Sequence, residues 1–534
     1  MLEDRSLAAL FPTASEVPEA LRPAPGRHPA SMLIDGRIRR IDAPEALIPV
    51  YSRVGVRVGD EVSAVLIGHE PRVGAPEAAE ALAAAERAWA RGGGAWPTMS
   101  LEARITAVEQ FAASVRLLVE PIATLLMAEI GKPIAAARAE VTRSLSYIEE
   151  TIAAARRIAD GRPYTGQNGA TTHHARDLQR PLGIVLCVAP FNYPINEFLT
   201  TVIPALLVGN VVIAKTPRFG VLANQLLAQA FADAFPAGVV GLLPGDGRAV
   251  LPSLIAASSN DLFGHPKGTI DVVAFIGSEQ AANAILGRHP TPSFVHKILG
   301  LGAKNAAVVL PGADPAVVAP KLAKGALGFN GQRCTAEKIM FVPAGAEGDA
   351  LVAALGARIA ALPLGMPWDP AAAITPLPEE RKLEWMWSYV EDALARGATL
   401  VNADGGRGYY SIMRPAVLDH VAEGMRIHHE EQFGPVVPIA RYADLAEVIA
   451  WHRASPYGQQ VGIHGPASPA RRALVEALAP FTARINLEDV CQRGPDTFGF
   501  TAADKSGFGT LSIEAALRSF TRTVIVQSPD PAAI

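Results

Sequence analysis

Apolar positions in the early part of the chain recur three and four residues apart. PEAAEALAAAERAWA (76–90) and EARITAVEQFAASVRLLVEPIATLLMAEIG (102–131) have the spacing of helices with one buried face. From residue 183 the pattern changes. Short runs rich in β-branched residues, GIVLCVA (183–189), NVVIAK (210–215), VVGLLP (239–244) and DVVAFIG (271–277), alternate with helical segments. Continuous apolar strands separated by helices predict βαβ units around a parallel sheet buried on both faces. After Lys304 the plan restarts with NAAVVLP (305–311), IMFVPA (339–344) and TLVNA (399–403). Two such units predict an α/β protein with two domains and a site in the cleft between them. The polar segment Arg162–Arg180 reads as a hairpin leaving the domain body. The closing RSFTRTVIVQS (518–528) reads as a strand without a domain of its own, and residues 1–45 as an irregular arm.

One stretch is ambiguous by hydropathy alone. Between Pro181 and Ala214 the only charged residue is Glu197, a length that would suit a membrane span. Pro190, Pro194 and Pro204, with Asn192, Asn196 and Gly209, break it into strand, loop, helix and strand. It therefore reads as buried core, and the chain as soluble with no membrane partner. Composition agrees, since 49% apolar and 19% charged residues lie outside the range of disordered chains. A balance of 48 basic to 52 acidic side chains, net −4, gives no footprint for nucleic acid. It leaves room for one local cationic pocket. The N-terminal residues are polar and proline-rich, without the apolar core of a secretory signal. Three widely separated cysteines form neither a disulfide framework nor a CxxC metal motif. A cytoplasmic protein without a metal centre is expected.

The candidate chemistry is more local. No GxxxxGK[ST] and no complete GxGxxG follows a strand. Gly245, in Gly245–Asp246–Gly247, and Gly277–Ser278 end predicted strands where backbone approaches a ligand closely, although each alone is more often a plain turn. Cys187 is embedded in GIVLCVAP and reads as a small buried hydrophobe. Cys334, in FNGQRCTAEK (329–338), has polar and glycine neighbours that suit thiolate formation and access. A thiolate there is the right nucleophile for an aldehyde carbonyl. Asn192, in PFNYP (190–194), stands at the end of a predicted strand where an amide would stabilise the resulting oxyanion. A proline-bracketed turn is the equally simple reading of that asparagine.

The order PFNYP, NVVIAKTPR, FIGS, LGLGAKN, FNGQRCTA and EEQFGPV resembles the aldehyde dehydrogenase superfamily over about residues 75–527. Tyr193 in PFNYP and the later CQRGPDTFGF (491–500) resemble its non-phosphorylating glyceraldehyde-3-phosphate dehydrogenase branch. The resemblance implies Cys334 as nucleophile and Asn192 as oxyanion donor. It implies Lys215 on the cofactor ribose, Gly277 and Ser278 at the diphosphate, and Glu431 and Phe433 at the nicotinamide ribose and ring. Where NAD-preferring members often carry a glutamate, this chain has Arg218, whose guanidinium would pair with a 2′-phosphate. NADP is therefore expected over NAD. Arg143, Tyr193, Arg333 and Arg493 match the substrate-phosphate positions, which implies a small anionic, phosphorylated aldehyde. Singly, Arg143 would read as solvated and Arg333 as structural.

The chain departs from the family at one point. Gly300, in Leu299–Gly300–Leu301–Gly302–Ala303–Lys304, stands where the family's glutamate activates the hydrolytic water. General-base help, typically about 10²–10⁴-fold, is missing from that position. Three outcomes stay open: another carboxylate such as Glu337, Glu431 or Glu488 takes over; the acyl group passes to coenzyme A; or the protein survives only as a cofactor-binding or structural member. The expected architecture is a Rossmann-type cofactor domain (46–158 and 181–301) and an α/β catalytic domain (302–508). An oligomerisation element (159–180 and 509–534) completes it, in a homodimer or homotetramer.

Overall fold

The structure, a computed structural model, describes residues 3–22, 28–260 and 266–534. Its first sheet has eight strands. In spatial order they are Arg37–Arg40, Ser31–Ile34, Val240–Leu243, Val211–Lys215, Ile184–Val188, Val272–Ile276, His296–Gly300 and Gly507–Phe508. The five strands from Val240–Leu243 to His296–Gly300 are parallel. Strand alternation explains their uninterrupted apolar sequence. Val185 and Cys187 enter the core on one face while Ile184 and Leu186 enter the core on the other, so both sides must be apolar. The ambiguous stretch resolves into the Ile184–Val188 strand, the wholly buried helix Asn196–Leu207 and the Val211–Lys215 strand. Among the described residues no single helix is long and apolar enough to cross a membrane.

The second sheet runs Thr399–Leu400, Ala416–Asp419, Val436–Tyr442, Ile339–Pro343, Ala306–Val309, Gln460–His464, Arg484–Leu487. Only its first pair is antiparallel. A third, antiparallel sheet joins Arg162–Asn168, Thr171–Pro181 and Thr521–Ser528. The closing strand, which the sequence leaves without a home, thus pairs with the excursion of its own chain.

The N-terminal arm is not irregular throughout. Ser31–Ile34 and Arg37–Arg40 form a hairpin that extends the first sheet, with Leu33 opposite Leu242. Leu7 and Phe11 bury themselves against Val54, Met366, Tyr409 and Ile412. Residues 1, 2 and 23–27 of that arm lie outside the described residues.

Candidate active site

Cys334 lies at the seam between the two α/β units. It follows a tight turn in which Phe329 and Asn330 adopt left-handed backbone, φ +50° and +56°. Such conformations cost energy in non-glycine residues and persist where surroundings hold them. Here Asn330 is clamped by three hydrogen bonds to Thr375. The Cys334 carbonyl accepts from Asn305 Nδ2 at 2.8 Å and Lys338 Nζ at 2.7 Å, while its side chain packs against the core of the first sheet. Burial pushes the thiol up to about 11. Glu197 and Glu431 push the same way, and Lys338 and Arg493 oppose them. Cys187 is fully buried in its strand, as expected, and Cys491 is buried in the second unit.

The structure brings Asn192 to this loop. Its side-chain amide donates to the Gln332 carbonyl at 2.8 Å. Its own carbonyl accepts from Lys132 Nζ at 2.9 Å, and Lys132 in turn forms a buried ion pair with Glu140. Glu140 also accepts the Ile195 and Asn196 N–H groups at 2.9 and 3.1 Å. A carboxylate from the long helix Ile134–Ile158 therefore satisfies the open N-terminus of Asn196–Leu207. This fixes the PFNYP loop from behind.

On the cofactor side, Glu431 accepts the Ala303 N–H at 3.2 Å and pairs with Lys338 at 2.9 Å. Lys304 ties the same segment down through the Glu430 carbonyl and Gln432. The approach explains Gly302, where a Cβ would come within 2.8 Å of the Glu431 carboxylate. Phe433, itself at φ +45°, begins an edge-to-face line through Phe191 to Phe219, and Arg218 lies 5.2 Å over the last ring. Lys215 is buried beside Glu70 and Asp246. Burial brings its ammonium down to about 8, against the pull of those two acids. Glu70 accepts the Gly245 N–H at 2.7 Å. A cleft of about 590 Å³ opens between helices Gly247–Ile255 and Glu279–Leu286, lined by Leu251, Phe275, Ser278, Ala281 and Arg288.

These features fit a phosphorylated dinucleotide. The cleft walls are apolar enough for a base, the exposed guanidinium of Arg218 suits a 2′-phosphate, and the Thr216 hydroxyl beside Lys215 is buried with no hydrogen-bond partner among the described residues. Lys215, Arg218, Gly245, Gly277 and Ser278 thus share one end of the first sheet. Glu431 acts on Cys334 at the seam, and Phe433 packs on Phe191 two residues further along.

The expected anion-binding residues also converge, but not as free cations. The Tyr193 phenol is pushed up to about 12 by burial, and it feels Arg333, Cys334 and Arg143 nearby. Arg143 grips Asp496 through two bonds of 2.9 and 2.8 Å. Arg493 pairs with Glu197 and lies 3.5 Å from Asp496. Arg333 donates to the Gly325 and Gly328 carbonyls at 2.7 and 3.2 Å, capping the helix Pro315–Leu327. Its guanidinium is therefore held by backbone rather than left open for a phosphate. Arg493 Nη2 is buried and has no hydrogen-bond partner among the described residues.

At Gly300 the nearest atoms to an added Cβ would be Ile276 side-chain carbons, at 3.4 and 3.5 Å, an ordinary contact, so the position accommodates a Cβ. Of the three stand-in carboxylates, Glu488 belongs to a surface cluster with Arg471 and Gly465. Glu337 is enclosed beneath Gly325 and Gly462 and accepts the Cys491 N–H. Only Glu431 stands near Cys334. Sequence reasoning missed Glu197, Lys338 and the Lys132–Glu140 pair. For Glu197 the signal was present: one charge inside an otherwise apolar stretch needs a partner.

The Aldehyde dehydrogenase family profile matches residues 53–526. An NADP-dependent glyceraldehyde-3-phosphate dehydrogenase of Streptococcus equinus is 32% identical over 435 residues, covering 80% of this chain and 86% of that protein. The Zea mays protein of the same name is 30% identical over 466 residues, 85% and 87% of the two chains. Among solved structures, the NADP-dependent glyceraldehyde-3-phosphate dehydrogenase of Bacillus halodurans C-125, complexed with NADP, superposes with a TM-score of 0.83. It is 30% identical and covers 94% of this chain and 99% of its own.

Proposed function

The chain belongs to the aldehyde dehydrogenase family, and from that premise we propose that it oxidises a small anionic aldehyde to the acid, with NADP as hydride acceptor and Cys334 as covalent carrier. The observation that carries this reading is the convergence on Cys334 of groups from both α/β units: Asn192 and Glu197 from the first, Lys338, Glu431 and Arg493 from the second. The relatives named for NADP and glyceraldehyde 3-phosphate support the cofactor and the class of substrate.

Lys215, Thr216 and Arg218 would hold the adenosine ribose and its 2′-phosphate, and Glu431 and Phe433 the nicotinamide end. Bound NADP supplies the hydride acceptor. The Cys334 thiol first loses its proton, which Lys338 and Arg493 favour and the two nearby carboxylates oppose. The thiolate attacks the aldehyde carbon, the C–S bond forms, and the carbonyl electron pair moves onto oxygen. Asn192 and the Cys334 N–H receive that charge. Loss of hydride from the same carbon restores the carbonyl as a thioester. Water then adds, a proton leaves, and the C–S bond breaks to release the acid and the thiolate.

Residue 300 contributes no base to this last step. Glu197 and Glu431 are each tied to a cation, Arg493 and Lys338 respectively. Deacylation is therefore the slow step. The test is NADPH formation across a panel of aldehydes in the wild type and in Cys334→Ala. The wild type should give NADPH with at least one anionic aldehyde, and the variant none. NADPH from Cys334→Ala at the wild-type rate would overturn the assignment. Acceleration of a slow wild-type phase by coenzyme A would identify acyl transfer as the physiological release.

A further inference from the structure

Lys132 lies in no motif read from the sequence, yet its ammonium sits where three parts of the site meet. The residue is buried in the short link between the helices Val119–Ile130 and Ile134–Ile158. Its Nζ donates to the Asn192 carbonyl at 2.9 Å, and the Glu140 carboxylate holds its charge. The same atom lies 3.6 Å from the centre of the Tyr193 ring and 4.7 Å from that of Phe329, where ring faces attract a cation. Tyr193 follows Asn192, and Phe329 belongs to the left-handed turn before Cys334. The backbone repeats this link. Gly131 takes φ +65°, and a Cβ there would collide with the Pro376 carbonyl oxygen. Its own carbonyl accepts from the Thr375 hydroxyl at 2.7 Å, and Thr375 clamps Asn330 of the same turn.

We propose that Lys132, held by Glu140, is a positioning residue that sets Asn192 against Cys334. This rests on the proposed function, in which Asn192 receives the oxyanion. An amide nitrogen carries two hydrogens. One donates to the Gln332 carbonyl at 2.8 Å. The other can meet the substrate oxygen only while the PFNYP loop keeps its distance from the nucleophile's turn. Oxyanion donors act at about 2.7–3.1 Å, and a misplacement of about 1 Å can cost about 10²-fold in rate. The ammonium fixes that spacing because it binds the Asn192 carbonyl on one side and the Phe329 ring on the other. It acts through Asn192 rather than on the substrate.

The test is the rate of NADPH formation in the first turnover, with glyceraldehyde 3-phosphate or succinate semialdehyde, whichever the wild type oxidises faster. Lys132→Met keeps most of the side chain's length and removes the charge. It should slow the first turnover by about 10–100-fold, while NADP binds as it does to the wild type. Lys132→Met/Glu140→Gln also removes the buried carboxylate that the first change leaves unpaired, a burden on folding. It keeps an acceptor for the Ile195 and Asn196 N–H groups and should show the same loss. A double-mutant cycle separates positioning from a general loss of order. Asn192→Ala alone should slow the first turnover by about 10²–10³-fold. Adding Lys132→Met to it should then cost less than about threefold more. An equal loss from Lys132→Met with and without the Asn192 amide, or an unaltered first turnover in a folded, NADP-binding variant, would overturn the assignment. NADP binding to the wild type without NADPH from any aldehyde would overturn the proposed function itself, and this inference with it.

Discussion

Cys334 holds its proton more tightly than a free cysteine because burial, with Glu197 and Glu431 acting the same way, outweighs Lys338 and Arg493. Reactivity of the cofactor-free protein should follow the thiolate fraction. Alkylation of Cys334 by iodoacetamide is expected to be slow at neutral pH and to rise about tenfold per pH unit, without levelling off below about pH 10. Peptide mapping should find Cys187 and Cys491 unmodified, since both are buried. A plateau near about pH 7–8 would mean that Lys338 and Arg493 outweigh burial and the two carboxylates. At this scale the sequence was legible wherever a residue's neighbours reveal its environment. Cys334 stands among polar and glycine residues, Cys187 among apolar ones. Glu197 stood out as the one charge in an apolar stretch, but its partner was not legible, because Arg493 lies 296 positions away. Arg333 shows the converse. Its position suited a substrate arginine, but the carbonyl end of the preceding helix takes its donors.

The elements follow the same logic. Parallel strands buried on both faces announce themselves as apolar runs, and four of those read from the first unit are found. The Ser31–Ile34/Arg37–Arg40 hairpin escaped because its outer strand, RIRR, has no buried face. Its turn did carry a signal. Asp35 and Gly36 both take positive φ, +52° and +72°, and an Asp-Gly pair is the natural two-residue hairpin connection. The third sheet presents a different problem. Its edge strand Thr521–Ser528 pairs on one side only, and Val524, Ile525 and Val526 are 37%, 59% and 39% exposed. An apolar edge strand left open to water invites pairing with another chain. We expect this strand to be covered by a second subunit in a dimer or tetramer. Ile525→Lys should lower the molar mass measured by light scattering towards that of one chain. An unchanged mass would place the subunit contact elsewhere.

The whole molecule is two α/β units whose strand ends face one seam, and the chain crosses that seam more than once. Gly507–Phe508, late in the sequence, closes the first sheet beside Gly300, and the Cys334 loop packs on the first sheet's core. This is why Lys215 and Arg218, the Cys334 loop and the Arg143–Asp496–Arg493 cluster meet, and why, on the proposed function, a residue in one strand of the first unit bears on chemistry at a loop of the second. A Cβ at Gly300 would make ordinary contact with Ile276, so on the proposed function the missing base is a matter of one residue rather than of the architecture. Rapid mixing of the enzyme with NADP and its best aldehyde, followed by acid quench and intact mass, reads this directly. The account predicts one NADPH per active site in the first turnover, with an acyl adduct on Cys334 that persists in the wild type and decays about 10²-fold faster in Gly300→Glu. NADPH formation with no adduct on Cys334 at any time, or an adduct equally short-lived in both proteins, would contradict it.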